Sequence, residues 1–458
     1  MKAFHLPLAL MLAGTVAGCG VAPSIAPNLN GDSATSMSAA RKAGQVEGDA
    51  VLVKVKRDGD LEAIAREHGL TVSRKISALG LAELRTSQAG AGWLDRKLNE
   101  LSRDSRVAFA EPNLAVKLKN VKSSSLPAGT VLDAAGDPLR KFQYSLDAMN
   151  VPEAWKTTQG DRKIVVAVID SGVDAGHKDL KANLTSNGYD AYNSRQGTKY
   201  ADTNTVSRFG GPFTSFGHGT HVAGIIGAVA NNDKGIVGVA PNCTLMPIKI
   251  FPGLIDSIRP KPNDRGEDQT AIIASAVAEG IVYATEHGAS IINMSLGFPY
   301  ESQSLSLAVE FALKKGVTVL VAAGNERMEG SPVNTLANLP GVIGVGATDE
   351  DDKVTFFSNK GKYVSVSAPG WRVLSTMPSV FNGLISEPYQ YMDGTSMACP
   401  NAAGVAALVK SVNPSLTPAQ VKEILEKSSD DRGPQGFDEN YGHGRVNAAR
   451  AVAMASKR

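Results

Sequence analysis

Cysteine is nearly absent: Cys19, Cys243 and Cys399 are the three thiols in 458 residues. Cys19 falls in the leader described below, and the two that remain exclude a disulfide framework. Aromatic residues make up 6% of the chain, and neither sign of charge is in excess, 47 basic against 45 acidic residues giving +2. No block of like charge stands out, so nothing calls for nucleic acid or an acidic substrate as partner. Long hydrophobic runs are also missing. Leu6 to Val16 is too short to span a bilayer, and no later stretch reaches the required length. Glycine is plentiful, with 46 residues, which suits an α/β protein with many tight strand-to-helix turns. The length exceeds what one core usually holds, so two or more domains are expected.

Residues 1–18 read as an export signal, with Lys2 as the charge, Leu6 to Val16 as the apolar core and Ala17-Gly18 as small residues before Cys19. Val16-Ala17-Gly18-Cys19 resembles the lipobox of bacterial lipoproteins, which implies a lipid on Cys19 and membrane contact through that lipid alone. The alternative is an ordinary signal peptide with an incidental cysteine. Residues 19–49, rich in Ala, Ser, Asn, Gly and Pro, read as a disordered tether.

Residues 50–118 read as β-α-β-β-α-β, the order of a small ferredoxin-like α+β domain. Its last strand is expected at Val107–Ala110, closing before Glu111-Pro112-Asn113. So small a core is marginal and calls for a partner surface. Residues 119–136, with Ser123-Ser124-Ser125, Pro127 and two glycines, read as a cleavable linker. In residues 137–458 continuous apolar runs (Ile164–Ile169, Thr244–Ile250, Ile291–Met294, Val317–Ala322, Val342–Val345, Val364–Val366) alternate with helical stretches beginning near Thr220, Gln269, Ser304, Met397 and Pro418. This predicts an α/β fold, a mostly parallel sheet with helices on both faces and its site beyond the carboxyl ends of the strands.

Four residues stand at such places. Ser396, in Gly394-Thr395-Ser396-Met397-Ala398-Cys399-Pro400, meets a helix mouth whose free N–H groups and dipole suit an oxyanion. Pro400 is placed in the first turns of that helix, where a missing N–H costs least. Asp170 ends the strand Ile164–Ile169. His218 lies where a glycine-flanked loop, Gly217-His218-Gly219, becomes a small-residue helix, and Asn325 follows Val317–Ala322 through Ala323-Gly324. A serine hydroxyl needs a base to become a nucleophile, and an amide at a strand end is a standard oxyanion donor. Each residue alone has a plainer reading, as a helix cap or a turn residue. His221, three positions after His218, has no Cys, Asp or Glu at ligand spacing and reads as a packed helix histidine, not a zinc ligand.

Together, Asp170, His218, Asn325 and Ser396 within those four stretches resemble the subtilisin-like serine proteases, whose Asp…His…Ser chain order is known for that family. The resemblance runs from about Asp137 to Ala451 and includes Ile291-Ile292-Asn293-Met294-Ser295-Leu296-Gly297 and Ser367-Ala368-Pro369-Gly370. It implies Ser396 as nucleophile, His218 as base, Asp170 as the orienting carboxylate, and the Asn325 amide with the Ser396 N–H as oxyanion hole. Ser295, Leu296 and Gly297, with Ala322, Ala323 and Gly324, match the walls of the family's main specificity pocket. The upstream unit looks like the family's inhibitory prodomain, so protein or peptide substrates and an autoinhibited zymogen follow. The other class of reading is a catalytically silent lipoprotein using the fold as a binding module. Asp179 and the loop Ala230-Asn231-Asn232-Asp233-Lys234-Gly235-Ile236 match a calcium pattern, implying Asp179, Ala230, Asn232, Lys234 and Ile236 as structural calcium ligands with Asp137 as a further one. The chain departs from the family pattern at Cys399 and Asn401. Cys399 reads as a buried structural thiol, and a Cys243–Cys399 disulfide stays open.

Overall fold

The computed structural model describes residues 46–117, 122–197, 214–251, 271–378 and 388–458. The leader, Cys19 and the tether as far as residue 45 lie outside the described residues, and the end of the stretch expected as disordered, 46–49, instead belongs to the strand Val46–Val55, where Val46 stands opposite Leu114. Among the described residues no helix is long and apolar enough to cross a membrane.

The first unit follows the expected β-α-β-β-α-β order. Its antiparallel sheet runs Thr71–Ile76, Leu81–Arg85, Val46–Val55, Val107–Lys117 across space. Alternation along the strands divides the apolar residues. Val51, Val53 and Leu84 pack under the unit's own helices, Leu61–Glu67 and Trp93–Ser102, with Leu61, Ile64 and Leu101. Leu52, Ile76, Leu81 and Leu114 face the other way and enter the large domain's core beside Val277, Ile281, Leu305 and Val309. A core too small to stand alone thus borrows its second face.

The last strand is longer than expected. It continues through Glu111-Pro112-Asn113 to Lys117, because Glu111 and Asn113 are buried against the large domain instead of forming an exposed turn. Its end pairs with Ala271–Ile273 (Lys117 opposite Ala271, Ala115 opposite Ile273). That pairing holds these three residues extended, so the helix expected from Gln269 begins at Ala274.

In the large domain seven parallel strands run Val364–Pro369, Ile343–Thr348, Thr318–Ala322, Ile291–Met294, Val165–Asp170, Thr244–Lys249, Tyr189–Asp190, and antiparallel Arg195–Gln196 closes the edge. Val166 and Val168 point into one core, with helices Thr214–Gly227 and Thr395–Val412. Ala167 and Ile169 point into the other, with helices Ala274–Glu286 and Gln303–Lys314. Burial on both faces is why these strands read as unbroken apolar runs. Tyr189–Asp190, two residues long, carries no such run and escapes sequence reading.

A third, antiparallel sheet joins Val373–Thr376, Tyr389–Met392 and Ser123–Ser125. The stretch expected as an open linker is therefore docked on the large domain across residues 122–136. Leu126 is buried in its core, Leu132 accepts from Gly235 N at 2.9 Å, and Asp133 pairs with Lys234 at 3.1 Å.

Candidate active site

Asp170 ends its strand at the carboxyl edge and is 1% exposed. Both its oxygens approach His218 Nδ1, at 2.8 and 2.9 Å, and Oδ1 also accepts from Ser171 N at 2.7 Å. His218 lies inside helix Thr214–Gly227, not in a loop ahead of it. The glycine after it permits the approach. A Cβ on Gly219 would stand 2.2 Å from Gly172 O and 3.1 Å from Asp170 Cβ, so a larger residue would push the imidazole helix off the carboxylate.

Ser396 is the second residue of helix Thr395–Val412, where its N–H has no intrahelical acceptor. Pro400 stands one turn on, in the second turn of the helix, where its missing N–H does leave a bond open. The consequence is specific. The N–H that would bond Ser396 O is missing, and the Ser295 hydroxyl donates to that carbonyl instead, at 2.9 Å. In return Ser396 Oγ donates to Ser295 O at 3.1 Å. His218 Nε2 is buried with no hydrogen-bond partner among the described residues. The carboxylate–imidazole arm is thus assembled, with the serine hydroxyl parked on its neighbour.

Asn325 follows Gly324, whose φ of 107° and tight contact with Asn359 only glycine accommodates. Its Oδ1 accepts from Thr395 N at 2.8 Å and Thr395 Oγ1 at 2.9 Å, so the amide's acceptor is taken up by the residue before Ser396 and its Nδ2 donors are not. The two proposed pocket walls, Ser295-Leu296-Gly297 and Ala322-Ala323-Gly324, are joined by a residue that sequence reading missed. Asn334 Nδ2 donates to Leu296 O at 3.1 Å and Ala322 O at 2.7 Å, and its Oδ1 accepts from Phe298 N and Leu336 N. It sits in an irregular loop, Ser331-Pro332-Val333-Asn334, where no periodicity marks it.

His221 is fully buried under strand Tyr389–Met392, its Nε2 3.0 Å from Gln390 O, and burial holds its pKa down at about 3. Cys243 and Cys399 are free and buried. Burial pushes the Cys243 thiol up to about 12 and raises the Cys399 thiol as well.

Around Asp179, Asn232 Nδ2 (2.8 Å), Ile236 N (3.0 Å) and the Tyr389 hydroxyl (3.2 Å) donate to the carboxylate, and Asn231 N donates to Asp137 Oδ1 at 2.7 Å. Desolvation raises Asp179 to about 7 and also raises Asp137, with the charge of Asp137 adding to the effect on Asp179. Two carboxyls and the Asn232 amide gather at this one loop, and oxygen-bearing groups of this kind are what calcium takes.

A parallel sheet covered on both faces, with an imidazole–carboxylate pair and a helix-mouth serine beside its carboxyl edge, defines a class: the α/β serine hydrolases. The particular family follows from comparison with known proteins. Residues 161–444, more than half the chain, match the subtilase family, and the chain belongs to it. Residues 32–113 match the fervidolysin N-terminal prodomain. The chain is 32% identical over 361 residues to a thermophilic serine proteinase of Bacillus sp. (strain AK1), covering 79% of this chain and 76% of that one. It is 35% identical over 331 residues to fervidolysin of Fervidobacterium pennivorans, covering 68% of this chain and 44% of that one. The crystal structure of fervidolysin, a keratinolytic enzyme related to subtilisin, superposes with a TM-score of 0.73 at 28% identity, covering 90% of this chain and 61% of that one. The protein is a subtilisin-like serine protease carrying a fervidolysin-type N-terminal prodomain.

Proposed function

We propose that the protein is an exported endopeptidase made as an autoinhibited zymogen. The observation that carries this reading is the buried Asp170–His218 pair at 2.8 and 2.9 Å, beside a helix that presents Ser396 and is tied by Thr395 to Asn325. Ser396 Oγ leaves Ser295 O when substrate enters, gives its proton to His218 Nε2 and attacks the peptide carbonyl. Asp170 holds the tautomer with the proton on Nδ1 and stabilises the imidazolium, which then protonates the leaving amine. The Asn325 amide and the Ser396 N–H bind the oxyanion. The small residues of Ser295–Gly297 and Ala322–Gly324 make an open, largely apolar cleft for protein or peptide substrates.

Residues 50–118 act as the intramolecular inhibitor, with Ala115–Lys117 laid along Ala271–Ile273 like a substrate strand. A structural calcium held by Asp179, Asn232 and the carbonyls of Ala230, Lys234 and Ile236, with Asp137 near, would neutralise the two carboxyls and pin the loop. A lipid on Cys19 would hold the zymogen at the cell envelope until a cut in 119–136 releases the enzyme into the medium.

Labelling with a serine-directed fluorophosphonate tests the enzyme against the silent binding module. Wild type should label and Ser396→Ala should not, with activity falling about a millionfold, the loss known for such knockouts in subtilisin itself. An alanine variant that still hydrolyses peptides would overturn the assignment.

A further inference from the structure

Resting on the peptidase reading above, we infer that Ser123–Ser125 is a strap on the leaving-group side of Ser396, held there independently of the prodomain, so that the processed enzyme keeps an occupied substrate subsite. Chain direction sets the side. Ala115–Lys117, upstream, pairs with Ala271–Ile273, whereas Ser123–Ser125, downstream, pairs with Tyr389–Met392, the strand that leads through Asp393-Gly394 into Ser396. The pairing is antiparallel, with Ser123 opposite Met392, Ser124 opposite Tyr391 and Ser125 opposite Gln390. Asp393 N donates to Lys122 O at 3.1 Å, which brings the main chain of Lys122 to within three residues of the serine. A peptide whose carbonyl meets Ser396 would have to lay its downstream residues on this same strand.

The strap's moorings lie on its far side. Leu126 is buried in the large domain's core, Gly235 N donates to Leu132 O, Lys234 pairs with Asp133, and Gly136 N donates to Asp233 Oδ1 at 2.8 Å. None of them involves residues 46–117. Hydrolysis upstream of Lys122 adds one water across a peptide bond, leaving a carboxylate on the prodomain side and an ammonium on the strap. It breaks no mooring. Prodomain departure and strap departure are therefore separate events, and the mature chain begins before Ser123.

The three serines are exposed and lie on a three-residue strand, so their side chains carry no core packing. Ladder alternation makes Ser124 and Tyr391 a hydrogen-bonded pair, two residues along from the Lys122–Asp393 contact. Ser124→Pro removes that N–H, and Ser124→Ala keeps it. The full chain is expressed and allowed to process, and two substrates are compared. One is a peptidyl p-nitroanilide with no residue beyond the scissile bond, and the other is a quenched peptide extended four residues past it. The active wild type should begin upstream of Ser123 by N-terminal sequencing. Ser124→Pro should lower KM for the extended peptide about threefold to tenfold, the worth of one net backbone hydrogen bond, and leave the p-nitroanilide constants and Ser124→Ala unchanged. An active enzyme beginning beyond Ser125, or a proline variant that shifts both substrates equally or neither, would overturn the strap while leaving the peptidase reading standing. A wild type that cleaves neither substrate would overturn that reading and the strap with it.

Discussion

Glu111 offers the sharpest test of how the prodomain is held. It belongs to the prodomain strand, yet its carboxylate serves the large domain. Oε1 accepts from Ser302 Oγ at 2.8 Å and Ser304 N at 3.0 Å, and Oε2 accepts from Gln303 N at 2.8 Å. Ser302 itself caps Leu305 N at 3.2 Å, so the first N–H groups of helix Gln303–Lys314 are all met, two of them by a residue of the other domain. Opening the prodomain hands these donors to water, so Glu111→Ala weakens docking without leaving them orphaned in the open state. Charge-assisted bonds are each worth about 1.5–3 kcal/mol, and three sharing one carboxylate do not add fully. A loss of about 3 kcal/mol, or about 150-fold in the opening constant, is expected. Glu111→Gln keeps the shape and one acceptor oxygen but not the charge, and should lose about tenfold. The assay is hydrogen exchange at the amides of Val107–Lys117 in the full-length Ser396→Ala chain, where self-cleavage cannot intrude. Exchange in Glu111→Ala no faster than in a control at exposed Glu62 would refute the reasoning, because the cap would then contribute nothing to docking.

Asn325→Ala should keep fluorophosphonate labelling yet slow turnover about a hundredfold to a thousandfold, the known loss for a side-chain oxyanion donor in subtilisin itself. Unchanged turnover would mean that another group fills the oxyanion hole. If Asp179 and its loop hold calcium, chelation should lower the melting temperature by mass action, and Asp179→Ala should abolish that sensitivity. Equal melting of wild type with and without chelator would count against the site. His221 should make the fold labile to acid. Its folded pKa, about 3, lies below the ordinary 6.5, so its contribution is full above about pH 6.5 and drains away as pH falls toward 3. Between pH 6.5 and 4.5 the Ser396→Ala chain should lose about 2 kcal/mol of unfolding free energy that a further His221→Gln substitution spares. Parallel denaturant midpoints for the two chains at both pH values would exclude it.

What the sequence determined by itself was whatever local chemistry and periodicity can carry. Strands buried on both faces have to be continuously apolar, so Ile291–Met294 and Thr318–Ala322 announced a parallel sheet. The glycines flanking His218, and Ala323-Gly324 between an apolar strand and Asn325, marked where those two side chains stand. Pro418 marked the start of helix Pro418–Ser428, where Thr417 and Gln420 complete a full capping box. Tertiary structure decided what depends on a partner distant in the chain. Ala271–Ile273 is extended because Ala115–Lys117 lies beside it, although a helical pattern runs on from there. Glu111-Pro112-Asn113 has the composition of a turn and is a strand, because helix ends of the other domain supply the donors and acceptors that bury its side chains. Ser123–Ser125 reads as linker and pairs with Tyr389–Met392 for the same reason. Asn334 and the exchange between Ser295 and Ser396 were equally out of reach, since a hydrogen bond spanning 101 positions leaves no trace in the local pattern of either end. Periodicity records which face a residue shows to the core. It does not record which other segment will be waiting there.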